Sequence, residues 1–185
     1  MNRFEFVMVA VGIMLGLSLT QALRGLGRVV RSPSRYSALT VWLVVLFFQH
    51  LQLWWSLWDL TFVSWWTMGS FLLVTLVPCS LFAATDALAP VALPPDLDAR
   101  EHFHRVSPWF YSLLLVYVAF SVLWTWQLTG LALDHFLRVL EAAGALAIVM
   151  GLAWRDRNVH GIAAVVYLIM MVVGQVMFRP YLAGG

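Results

Sequence analysis

From Ser37 to Trp58 the chain reads SALTVWLVVLFFQHLQLWWSLW. Not one residue in it is charged, and it exceeds the about 20 residues that a helix needs to cross a hydrocarbon core of roughly 30 Å. Four more runs, 6–23, 60–85, 106–133 and 158–178, also lack Asp, Glu, Lys and Arg. A sixth stretch, 136–154, is apolar from Ala142 onward but carries Arg138 and Glu141 in its first turns. The reading is therefore an all-α polytopic membrane helix bundle with six transmembrane helices, at about 4–24, 37–58, 61–84, 108–130, 136–154 and 159–178. These fill a single transmembrane domain, 1–185. Composition agrees: the 185 residues are 62% hydrophobic and 11% charged with a mean hydropathy of +0.86, whereas soluble domains carry about 25% charged residues.

The missing residue types exclude whole chemistries. The chain has no Lys, so neither a Schiff-base cofactor nor a phosphate-loop lysine is available. The single cysteine, Cys79, lies in an apolar run, which leaves no disulfide and no Cys-rich metal site. There is no serine-triad, HExxH or multi-histidine pattern, so the expectation is no catalytic residue, no metal and no cofactor. The charge of +2 comes from 11 Arg against 9 acids, with no basic stripe of the kind that binds nucleic acid.

Arginine placement orients the bundle. Arg24, Arg28, Arg31, Arg35, Arg100, Arg105, Arg155 and Arg157 fall on one side, and Arg3, Arg138 and Arg179 on the other. By the positive-inside rule the eight-arginine side is cytoplasmic and both termini lie outside. A signal-peptide reading of the first span competes, with Thr20 and Ala22 as a poor cleavage pair; cleavage would send the Arg-rich segment across the membrane, against the same rule. Trp54, Trp55, Trp58, Trp65, Trp66, Trp124 and Trp126 gather at the outer ends of spans, which reads as an interfacial belt with a minority left to line a site.

The second span also holds the clearest polar constellation. Gln49, Gln52, Ser56 and Asp59 are spaced 3, 4 and 3 apart, so they share one helical face that lipid cannot satisfy. With Trp55, and with Gln175 from the last span, they are the candidate substrate contacts. His50, one position off the stripe, is read either as a neutral packing histidine or as a substrate- or proton-coupled one. A haem role would need a second histidine at the same depth, and His102, His104, His135 and His160 fall near membrane surfaces or in loops. Asp134, Arg138 and Glu141 share a face of span five. Arg138 and Glu141 are a neutralising ion pair or, if Arg138 also reaches Asp59, a gate. In the loop 86–108, His102 and His104 beside acids lack a completing ligand set, so an amphipathic surface segment is the simpler reading. Gly12 and Gly16 form a small-xxx-small pair expected to admit a neighbouring helix closely.

A three-plus-three split gives a faint match, Leu57-Trp58-Asp59 against Ala153-Trp154-Arg155-Asp156, as an inverted repeat would. The runs Gly16-Leu17-Ser18-Leu19-Thr20-Gln21, Arg24-Gly25-Leu26-Gly27-Arg28 and Phe48-Gln49-His50-Leu51-Gln52-Leu53-Trp54-Trp55, with Pro78 and Asp98 to Phe103, resemble a group of small uncharacterised bacterial six-span membrane proteins. The resemblance implies a bacterial inner membrane and carries no activity. The leading expectation is a multi-pass protein that binds or passes a small solute or ion through an outward-facing polar cavity. The rivals are a non-catalytic partner or scaffold subunit, docking a second copy or another membrane protein, and a membrane enzyme or cofactor holder using His50.

Overall fold

The computed structural model describes residues 3–32, 36–63, 66–89, 98–128, 136–154 and 156–182, without the side chains of 3, 59, 62, 136 and 177–182. The described chain is helical throughout: α1 (Arg3–Arg31), α2 (Ser37–Ser56), a 3-10 turn (Leu57–Phe62), α3 (Met68–Leu88), α4 (Ala99–Leu128), α5 (Phe136–Ala153) and α6 (Arg157–Leu182). No strand occurs among the described residues. Among the described residues, five segments are long and apolar enough to cross a membrane, Phe4–Arg31, Ser37–Ser56, Met68–Leu88, Ala99–Leu128 and Arg157–Val176.

The helices close a ring in the order α1, α2, α6, α5, α4, α3 and back to α1, and α2 also touches α3 and α4. That makes α2 the inner helix. Leu39, Trp42, Leu43, Val45 and Leu46 on it are all fully buried, as expected of a helix apolar on every side. The outer helices show the reverse. Ile162, Val165, Ile169, Val172 and Val176 on α6, and Phe6, Val9, Ile13 and Leu17 on α1, stand exposed at helical spacing. Apolar stripes of this length on the outside of a bundle are the surface that lipid covers.

Local sequence sets the helix starts. Thr67 and Ser70 form a reciprocal capping box at α3, with Ser70 N–H to Thr67 Oγ1 at 3.1 Å and Thr67 N–H to Ser70 Oγ at 2.9 Å. At α4 the Asp98 carboxylate accepts the Arg100 N–H at 2.9 Å. The helix therefore begins at Ala99, not at Pro108, which lies inside it. At 30 residues it is about 45 Å long and outruns the hydrocarbon core. Its first turns take up the loop segment expected to lie on the surface.

Cross-links between helices are few and specific. Gln21 Nε2 donates to Asp86 Oδ1 at 3.1 Å between α1 and α3. The expected close approach at Gly12 and Gly16 is not found: a Cβ on either would meet nothing within 4 Å. The close approach is about two and a half turns beyond Gly16, at Gly25, where an added Cβ would stand 2.7 Å from the Ala89 Cβ. The small-residue spacing marked the right helix and the wrong glycines.

Candidate functional site

Where α2, α4, α5 and α6 meet, they leave a cavity of about 210 Å³. Gln49, Gln52, Trp55 and Ser56 of α2 line it, as do Glu141 of α5 and Gln175 of α6. These are six of the residues singled out by the polar spacing. The 3, 4 stripe on α2 explains their company, because one helical face can look into only one space. Arg138 is bonded to Glu141 but does not itself line the cavity. The Asp59 side chain, like Asp134, lies outside the described residues.

Gln49 is the hub of the buried end. Its Nε2 donates to the Tyr117 hydroxyl at 2.8 Å and, more weakly, to Gln52 Oε1 at 3.4 Å. Its Oε1 accepts from the Tyr167 hydroxyl at 3.1 Å. Three helices are thereby tied through one amide, with both its hydrogens and one of its lone pairs used. Toward the other end, one Arg138 nitrogen donates to Glu141 Oε2 at 2.7 Å and to Thr125 Oγ1 at 2.8 Å. The pair is intrahelical, with a tether to α4. Its side chains are 10% and 28% exposed, a setting in which a charge-assisted bond gains strength over one in water.

Several wall residues were not legible from charge spacing. Tyr117, Tyr167 and Trp124 sit in runs that read as lipid-facing or core. Their polar tips were the available signal, since a buried phenol or indole needs a partner. Met170, Met171, Leu140 and Val118 give the cavity its apolar side. Trp124 is nearly fully buried, and its indole N–H has no acceptor among the described residues. Of the outer tryptophans, Trp124 lines the cavity from a buried position and Trp55 lines it while itself largely exposed; Trp54, Trp58 and Trp126 are exposed without lining it.

His50 does not line the cavity. It is fully buried on the α1 side of α2, where its Nδ1 donates to the Leu46 carbonyl at 2.6 Å and its Nε2 takes the Ser18 hydroxyl. A carbonyl can only accept, so Nδ1 carries the ring proton and Nε2 is the acceptor. Both nitrogens are engaged.

A second polar cluster lies two helical turns along α2, toward the Arg-rich end. The Trp42 indole N–H donates to the Tyr111 hydroxyl at 3.1 Å, and that hydroxyl bonds His160 Nδ1 at 3.0 Å. Because indole only donates, the Tyr111 hydrogen goes to His160 Nδ1, leaving the His160 proton on Nε2. The Phe103, Phe110 and His104 rings pack around this chain. Tyr36, buried at the entry to α2, closes it off, and burial pushes its hydroxyl pKa up against the pull of Arg100 and Arg157. Trp42 is thus a core residue.

No family model, curated protein or solved structure matches the chain.

Proposed function

We propose that the protein binds or passes a small solute through the cavity between α2, α4, α5 and α6, as a six-span bundle in the bacterial inner membrane. The observation that carries the reading is the meeting of one polar helical face with open space. Gln49, Gln52, Ser56, Glu141 and Gln175 are drawn from three helices and share a void of about 210 Å³, although filling it with side chains would satisfy an inert bundle better. α5 is the sixth span; Arg138 and Glu141 neutralise each other in its first turns, which removes most of the cost of carrying them into lipid. The Arg-rich ends lie in the cytoplasm and the cavity opens to the other side. A three-plus-three plan would pair α1 with α2 as it pairs α4 with α5, which is found, and α1 with α3 as α4 with α6, where only the first pair packs closely.

The test is reconstitution. Purified protein in liposomes should admit at least one of urea, glycerol, betaine, acetate or sodium faster than protein-free vesicles do. Gln52→Leu should remove that excess while keeping its helical circular-dichroism signal. Rates equal to those of empty vesicles for every solute, with nothing small retained after gentle extraction, contradict the reading.

A further inference from the structure

Resting on the reading that this cavity holds a ligand, we infer that the ligand is an uncharged amphipathic molecule of about one ring in size, bound by a hydrogen-bond acceptor placed at Trp124 and a donor placed at Glu141. Size comes first. A cavity of about 150 Å³ in another protein holds benzene, so about 210 Å³ leaves room for a ring and a short polar substituent. Larger drug-like ligands need about 300 Å³ or more.

Charge comes second. Among the described residues no Arg or Lys lines the cavity, so an anion finds no counter-charge from them. The lining carboxylate, Glu141, already holds Arg138 at 2.7 Å, so a cation would have to compete for an occupied partner. A buried ion without a counter-ion of its own is costly in a low-dielectric interior. Neutral ligands escape that cost.

The polar handles come third. Gln49 has both amide hydrogens committed to Tyr117 and Gln52, which makes it a fixed wall. The Trp124 N–H is buried with no acceptor among the described residues, and a buried donor left bare is disfavoured until something accepts from it. Glu141 Oε2 is taken by Arg138, which leaves its other oxygen to receive a ligand hydroxyl or amide. Met170, Met171 and Leu140 offer the apolar body a surface, and methionine adapts its shape to a ring.

Four probes of matched size separate these requirements: benzyl alcohol, benzylamine, benzoate and toluene. The protein is placed in lipid nanodiscs and the indole N–H resonances are followed by 15N NMR, with Trp124 assigned from Trp124→Phe and the exposed Trp109 and Trp126 as controls for solvation by lipid. Midpoints are compared at equal concentrations in the lipid phase. Benzyl alcohol should shift the Trp124 resonance downfield and saturably, at a midpoint at least tenfold below those of the other three. A midpoint for benzylamine or benzoate within threefold of benzyl alcohol overturns the uncharged class and leaves cavity binding standing. Equal binding of toluene overturns the polar handles. If benzyl alcohol saturably shifts the Gln49 side-chain amide with Trp124 unmoved, the assignment of the acceptor to Trp124 is wrong. Silence of both Trp124 and Gln49 toward all four probes defeats this inference. Solute binding by some other ligand is then judged separately, by the liposome and extraction results.

Discussion

Gln49 and Trp42 lie seven residues apart on α2, about 10 Å along one face, and each anchors a polar cluster. The two clusters use the same materials, hydroxyls and amide or ring nitrogens from α4 and α6, yet one surrounds a void and the other is packed solid. The difference can be traced to α5, where Gly144 and Gly151 are also seven residues apart. A Cβ at Gly151 would lie 2.5 Å from the Tyr111 ring, whereas at Gly144 it would meet the Tyr167 ring at an ordinary 3.5 Å. On α6, Gly174 would bring a Cβ no closer than 3.8 Å to Leu140. The glycine at the filled cluster makes room for a side chain already there; the glycines at the open one leave room unused. On the proposed reading, the open space beside the polar groups is what separates the candidate site from the filled cluster.

The sharpest way to break this contrast is Gly151→Val, which drives a branched side chain into Tyr111. Overpacking of a full core costs about 1–3 kcal/mol and at times more, so the variant should unfold at markedly lower SDS concentration or fail to accumulate. Next comes Tyr111→Phe, which strands the Trp42 N–H and the His160 Nδ1 in a packed interior. A loss of about 1–2 kcal/mol is expected in the same titration, toward the upper end of what single polar contacts contribute in membrane proteins. Gln49→Leu should cost less stability, about 0.5–1 kcal/mol, because the open space beside it admits a replacement partner for Tyr117 and Tyr167; solute retention should weaken as that wall loosens, without vanishing. Gly174→Ala should stay within about 0.5 kcal/mol of the parent while narrowing the cavity. If Gly151→Val and Gly174→Ala proved equally mild, the distinction between a filled and an open cluster would fail.

The sequence reveals these two regions unequally, and the reason is physical. Charge-free length shows the spans because the bilayer imposes it. Residue spacing shows the α2 stripe because helical period is fixed. Its partners are hidden: Tyr117 and Tyr167 stand alone in apolar runs, and only packing of α4 and α6 against α2 brings them to Gln49. Thr125 as the tether of Arg138 is hidden in the same way. Charge-free length places the start of the fourth span at about 108 and leaves the helix start unseen, because Asp98 caps α4 within the charged segment before it. The Gly12 and Gly16 pair misled because glycine spacing records what a helix could admit, not what lies opposite.

Whether water reaches the cavity is the most direct question, and radiolytic hydroxyl-radical labelling of the unmodified protein in nanodiscs answers it. Radicals form where water is, so methionines beside internal water are oxidised and those facing acyl chains are spared. Met170 and Met171 line the cavity, while Met150 is exposed on the outside of α5. The account predicts that Met170 and Met171 oxidise several times faster than Met150. Oxidation of all three at the slow rate of Met150 would mean that the space beside Gln49 is dry and that the cavity is no route or seat for a solute.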